Sequence, residues 1–296
     1  MTFVKRRITL QFQLGQGSFG ESGNDTIEVS GVRCSASMTK GGGVGLTELN
    51  LRVFGLELDV MNKLTILGKP LVDGRNNKVV VSAGDVGGAL SVVFAGTIIE
   101  AWVDARNSPQ VAFLVSAQDG ALMALKPVIP VSFKGSVDAA QVVSYIAQQA
   151  GMGFENGGVS VQLDNPYLPN TTLEQLQSIA RAGQFNCVIE TTDTGNGTVV
   201  IWPFDKPRPG KVPLISPETG LIGYPMRTQN GIQLMTLFNP AIIFGGQIQV
   251  KSDLTPANGG WTVFRVTHDL EAETPGGKWF TTMECSLLGQ EVPVGE

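Results

Sequence analysis

The sequence predicts a mainly β fold with a small α+β insert, and three observations carry that expectation. Apolar and polar residues alternate in many short runs toward both ends of the chain. Two helical patterns stand side by side only in the middle. Glycine and proline, 37 and 16 residues, separate the runs as a strand-and-turn protein requires. At 296 residues the chain exceeds what one hydrophobic core usually organises, so two or three domains are expected.

In the first region Ile8, Leu10, Phe12 and Leu14 face one way and Thr9, Gln11 and Gln13 the other. Val32, Cys34, Ala36 and Met38 repeat the pattern, as do Leu49, Leu51 and Val53. A period of two marks half-buried strands. Leu58, Met61 and Leu64 recur every third residue and suggest a short helix. Further strands are expected at 79–81, 92–94, 98–103 and 112–115. Many short strands with one short helix point to a barrel or sandwich.

The middle region reads differently. Ser136 is the expected N-cap of a helix with Asp138 in its first turn. Ala139, Val143, Ile146, Ala147 and Ala150 share a face, and Gly151 stops the helix. A second helix is expected from Thr172, with Gln175 as capping-box partner. Leu173, Leu176, Ile179 and Ala180 form its apolar face, and Gly183 ends it. A hairpin follows: Phe185, Cys187 and Ile189 alternate, 193–197 turn and 199–202 return. Residues 203–217 are proline-rich and read as an extended linker. Strands resume at 248–250, 261–266 and 279–285, with turns expected at Gly245-Gly246, Gly259-Gly260 and Gly276-Gly277. The two β regions share architecture without a strong sequence repeat.

Composition narrows the function. Hydrophobic residues make up 42% of the chain and charged residues 16%, against roughly 25% charged in typical soluble domains. Mean hydropathy is +0.11. Much of the surface is therefore expected to lie against other chains. A net charge of −5 leaves no electrostatic footprint for gripping nucleic acid. Lys5-Arg6-Arg7 suggests a signal-peptide start, but residues 8–14 alternate, and no run of about 20 apolar residues exists. No secretory signal and no membrane insertion are expected.

Motifs for chemistry mostly fail. Cys34, Cys187 and Cys285 are odd in number and far apart, with no metal or disulfide spacing. Gly15-Gln16-Gly17-Ser18-Phe19-Gly20 matches a nucleotide-loop pattern. A strand rather than a helix follows it, and the other kinase motifs are missing, so it reads as a hairpin tip. His268 is the single histidine and lacks triad or metal partners. It reads as a structural, hydrogen-bonded residue, with adjacent Asp269 on the opposite strand face. Glu271 and Glu273 would share a strand face, a weak carboxylate pair whose simpler reading is a solvated surface. Asn170-Thr171-Thr172 and Asn196-Gly197-Thr198 are chance sequons in this context. Trp102, Trp202, Trp261 and Trp279 fall on expected strands and suit packing or interfaces. No catalytic, cofactor-binding or metal-binding residue is assigned, and no cofactor is expected.

Three stretches in order carry a resemblance. They are Val93-Phe94-Ala95-Gly96-Thr97-Ile98-Ile99-Glu100-Ala101, the two-helix and hairpin module ending in Val200-Ile201-Trp202-Pro203, and a third running from Leu221-Ile222-Gly223-Tyr224-Pro225 through Leu237-Phe238-Asn239-Pro240 to Val266-Thr267-His268-Asp269 and Trp279-Phe280-Thr281. Together these resemble the baseplate hub proteins of contractile-tailed phages, related to the hub half of type VI secretion spikes. The resemblance implies two tail-tube-like β-barrels, residues 1–130 and 219–296, a small α+β module at 131–205 and a Pro-rich linker at 206–218. It implies a homotrimer whose ring offers a pseudo-sixfold face to the tail tube or tube-initiator proteins and seats the trimeric central spike on the other side. Tape-measure protein and DNA would pass through the lumen, and baseplate wedge proteins are further candidate neighbours. Such a protein is a virion component of the tail baseplate, made in the bacterial host cytoplasm, and not an enzyme. A tail-associated cell-wall hydrolase and a glycan-binding tail protein are the alternatives.

Overall fold

The structure, a computed structural model, describes residues 5–20, 23–41, 47–66, 76–125, 127–191 and 197–287. The first region holds β1 (Arg6–Gln13), β2 (Thr26–Ser30), β3 (Cys34–Gly41), β4 (Glu48–Phe54), α1 (Leu58–Leu64), β5 (Lys78–Asp85), β6 (Ser91–Asp104), β7 (Ala112–Gln118) and the short α2 (Ala121–Leu125). The middle holds β8 (Val131–Ser132), β9 (Ser136–Asp138), α3 (Ala139–Gln149), β10 (Gly153–Asn156), β11 (Gln162–Asp164), β12 (Tyr167–Leu168), α4 (Thr172–Gly183), β13 (Phe185–Thr191) and β14 (Gly197–Pro203). The last region holds β15 (Leu214–Ile215), β16 (Met226–Arg227), β17 (Gly231–Leu237), β18 (Gln247–Val250), β19 (Gly259–Ala272) and β20 (Trp279–Leu287). The fold is mainly β with a small α+β insert.

Both β regions belong to one 13-stranded sheet. Its order is β16-β17-β20-β19-β3-β4-β7-β6-β5-β1-β2, with β18 beside the start of β19 and β15 parallel to β18. Among the described residues the sheet follows one open path rather than two closed rings, and its two halves curl over separate cores. Ile8, Leu10 and Phe12 of β1 pack with alternate residues of β3, β4, β5 and β7 in the first core. Leu234, Ile248, Val263 and Met283 belong to the second. Leu270, Ala272 and Trp279 reach from the last region into the first core, so the halves are welded by packing as well as pairing.

The halves repeat a plan. The first reads β5-β6-β7-β4-β3 and the second β18-β19-β20-β17-β16. Each is organised by a 14-residue strand, β6 or β19. One edge of β6 pairs β5 up to Thr97, and one edge of β19 pairs β18 up to Thr262. On the other edge the register then slips, between Ile98 and Glu100 against β7 and between Val263 and Arg265 against β20. A bulge increases local twist, so both strands turn directly after their first partner ends. The sequence suggests two strands at 92–94 and 98–103; pairing of Ala95, Gly96 and Thr97 with β5 joins them into one.

Local differences have clear causes. Helix α1 buries Val60, Met61 and Leu64, while Leu58, in its open first turn, is 65% exposed. Asp138, not Ser136, caps α3, accepting from Ala140 N at 2.7 Å, because β9 runs from Ser136 to Asp138 and the helix begins only at Ala139. Thr171 caps α4 with Glu174 in a capping box. The expected partner Gln175 is buried instead and donates to the Ile129 and Leu168 carbonyls. Gln184, in left-handed conformation, follows Gly183 as the C-cap. Gly259-Gly260 lie in β19 rather than in a turn. The turn expected at 193–197 lies mostly outside the described residues.

The middle module has its own core of α3, α4, β13 and β14 side chains. The outer face of its hairpin is buried too, because Val188, Val200 and Trp202 pack against Phe244 of the last region.

Candidate assembly surface

One face of the sheet covers the cores, and the other is polar across both halves. Register runs Leu237–Phe280–Asp269–Ser37–Asn50–Ser116–Glu100 from β17 to β6. The neighbouring row is Met235–Thr282–Thr267–Thr39–Glu48–Gln118. Period-two alternation produces this face, since the partners of buried residues must point away from the core. Side chains stitch the two halves together on it: Ser37 Oγ donates to Asp269 Oδ1 at 2.7 Å, and the Thr39 and Thr267 hydroxyls lie 3.1 Å apart. The outward rows carry carboxylates at Glu48, Glu100, Asp269, Glu271 and Glu284 and guanidiniums at Arg52 and Arg265. The face is therefore acid-biased.

The two halves meet where β3 pairs Arg265–Ala272 of β19. The equivalent edge of β6, beyond Thr97, carries bonds from Ile98 N to Asn77 O, 2.8 Å, and from Ile66 N to Ala101 O, 2.9 Å, and no further strand among the described residues. The strand equivalent to β3 is the terminal β16, part of an irregular segment along β17. Ile222 N bonds Met235 O, and Leu237 N bonds Gly220 O. Both edges carry exposed apolar side chains: Trp102 on β6, and Ile222, Tyr224, Met226, Met235 and Leu237 at the β16–β17 end. Ten of the seventeen large hydrophobics exposed among the described residues fall between Phe204 and Leu287. Five of these, Ile222, Tyr224, Met226, Met235 and Leu237, gather at the β16–β17 end, and such grouping marks contact surface, whereas scattered singles do not.

Of the residues singled out in the sequence, Trp102, Asp269 and Glu271 lie on this surface and the others lie elsewhere. His268 points away from Asp269, its Nδ1 lies 2.9 Å from Thr281 Oγ1, and the Phe238 ring meets it edge-on. Burial lowers its pKa to about 4, against a smaller opposing effect of Asp269. It is thus a neutral, half-buried packing residue at physiological pH. Glu271 and Glu273 do not pair: Glu271 accepts from Lys278 N, while Glu273, at φ +52° beyond the strand, binds Lys5 at 2.9 Å. Gly15–Gly20 forms the β1–β2 tip, with positive φ at Gly17 and Gly20 and the Gly15 amide bound to Asn77 Oδ1; Glu21 and Ser22 lie outside the described residues. Asn170 precedes the α4 cap, and Asn196 lies outside the described residues. Trp202, Trp261 and Trp279 are buried, and Trp102 is 39% exposed. All three cysteines are buried thiols. Among the described residues no group of three or more His, Cys, Asp and Glu is placed to hold a metal.

Sequence reading missed one cluster. Lys40, Asp119, Glu190 and His268 line a cavity of about 230 Å³ at the meeting of both halves and the module. These residues are remote in sequence, so no spacing signals them.

The family model described as Baseplate hub gp41 matches residues 50–285. No curated protein matches the chain in sequence. Its fold is similar to that of a tail protein from Neisseria meningitidis MC58, with TM-score 0.61 and 9% identity over 94% of this chain and 96% of that one. It is similar to the 43 kDa tail protein of prophage MuSo2 from Shewanella oneidensis, with TM-score 0.61 and 10% identity over 96% and 100%. It is also similar to the E. coli c3393 protein, described as a component of the type VI secretion system similar to T4 tail proteins gp27 and gp5, with TM-score 0.56 and 10% identity over 86% and 73%.

Proposed function

This chain belongs to the baseplate hub gp41 family, and from that premise we propose that it is a non-enzymatic hub that forms a homotrimeric ring between the tail tube and the central spike. The observation that carries the reading is the repeated half, with two edges that no further strand covers among the described residues. Within one chain, the edge of β19 is filled by β3 of the other half. The same step taken again sets β16 and residues 220–227 of one copy beside β6 of the next. That is a head-to-tail contact, and such contacts close into rings when their rotation allows. Two similar halves in each of three copies present six similar units to the tube or its initiator, while the other side keeps threefold symmetry for the spike.

In this ring residues 1–130 and 219–296 are the tube-like domains, 206–218 links them to the 131–205 module, and the module faces outward toward baseplate neighbours. The polar, acid-biased face lines the lumen. Carboxylates there repel phosphates instead of releasing counterions to them, so DNA passes without being held. Tape-measure protein occupies the same channel before ejection. The protein is a virion tail component, assembled in the host cytoplasm.

The test is solution mass by light scattering, with and without the spike. Three times the 31.4 kDa chain mass is expected for the chain alone, or that mass plus the spike's on adding spike. A monomer indifferent to spike would overturn the proposal.

A further inference from the structure

We infer that the central module is a separately cored arm, docked onto the sheet by a partly buried polar lock in which Glu190 pairs with Arg208 and Lys40 holds the Ile189 carbonyl, with Asp119 beside them. When the lock is broken the arm undocks without unfolding.

The module's core involves neither sheet core: α3 and α4 pack on β13 and β14 with side chains of their own. Beside α2, whose Met123 and Ala124 pack against the module's core, its dock has two parts. One is an apolar plug, in which Trp202, Val188 and Val200 meet Phe244. The other is ionic and draws on three parts of the chain. Glu190 comes from the module strand β13, and Arg208 from the strap that leads into the last region. Arg208 binds both Glu190 carboxylate oxygens, with Nη2 to Oε2 at 2.9 Å. Its backbone N donates to Gly245 O at 2.8 Å, so one residue holds the module by its side chain and the second half by its main chain. Lys40 comes from β3 and reaches across to Ile189 O at 3.2 Å, a carbonyl on the open edge of the module's hairpin. Asp119 follows β7 and is fixed by Thr47, whose N and Oγ1 donate to it at 2.6 and 2.5 Å.

Two cations and two anions balance, which permits burial that no single member would survive. Arg208 is 9% and Asp119 4% exposed. The adjoining cavity shows that the joint is not close-packed. A small dock that is part polar and part void is the kind from which a domain moves as a body. Glu190 and Arg208 are the direct ion pair of the joint, so loss of Glu190 leaves the buried Arg208 without its carboxylate. This inference concerns contacts within one chain and holds whether or not the ring forms.

Hydrogen exchange on the purified chain tests it. Arg208→Met and the nearly isosteric Glu190→Gln remove one partner each. Exchange at 206–208 and 245–246 should rise about tenfold or more, while amides within α3 and α4 keep wild-type protection. The exchanged pair Glu190→Arg with Arg208→Glu should restore much of the loss. Unchanged exchange at the strap in both single variants would overturn the lock. Equal loss across the strap, α3 and α4 would overturn the separable arm.

Discussion

Gly245 offers the sharpest test of how the module is seated. It sits at φ +77°, and a Cβ there would lie 2.3 Å from Trp202 Cζ2 and 3.0 Å from Cε2. Carbon atoms in contact prefer about 3.5–4.0 Å, so Gly245→Ala must displace the indole by roughly an ångström. Trp202 is 2% exposed, and Phe244 meets it edge-on with ring centres 6.1 Å apart. It therefore has little room to yield, and overpacking of this kind costs about 1–3 kcal/mol. The left-handed backbone adds about 1–2 kcal/mol for any residue with a Cβ, giving a loss of about 2–5 kcal/mol. Trp202→Ala alone removes a buried indole at about 3–5 kcal/mol. With the indole gone the clash disappears, and adding Gly245→Ala should then cost only the backbone part. The cycle therefore predicts coupling of about 1–3 kcal/mol. Urea unfolding of the four proteins, read at the first transition, measures it. Additive losses, or a Gly245→Ala cost below about 1 kcal/mol, would refute the close seating of Gly245 on Trp202.

Other outcomes follow from the same physics. Phe12→Ala, in the first core with a side chain fully removed from water, should lose about 3–5 kcal/mol in denaturant unfolding. Thr171→Ala breaks the α4 capping box and should cost about 1 kcal/mol, visible as faster exchange in the helix's first turn. His268 has a folded pKa near 4 against 6.5 unfolded. Above 6.5 both states are neutral, and stability falls as pH drops from 6.5 to 4 while only the unfolded state binds the proton. The loss is at most about 3 kcal/mol, and His268→Asn should flatten it in melting curves. Glu190 is pushed up by burial, but Arg208 outweighs this and holds it below the usual carboxylate range. Its contribution is therefore present above the unfolded value and is lost as pH falls through the folded one, a loss that Glu190→Gln abolishes.

The strands were legible because alternation records a local fact: one side chain in, the next out. Ile8, Leu10 and Phe12 are buried as the pattern predicts, and Leu173, Leu176, Ile179 and Ala180 line α4 as their spacing predicts. Boundaries were less so. The α4 cap moved from Thr172 to Thr171 because Gln175 is used to satisfy carbonyls outside its helix. The two bulges, which turn β6 and β19 and make the halves alike, depend on where neighbouring strands end. Such long-range facts leave no local period. The sheet's edges belong to the same class, since pairing order cannot be read from a strand's own residues. Lys40, Asp119, Glu190 and Arg208 were invisible for a further reason: an isolated Lys or Glu in sequence looks like solvated surface until the fold encloses it.

A single-particle reconstruction of the assembled tail tip tests the ring most directly. Three copies are expected about a threefold axis, with β16 and residues 220–227 of each copy alongside β6 of the next and the Ser37–Asn50–Asp269 face lining the channel. Copies joined through the α3–α4 module, or a channel lined by another surface, would contradict it.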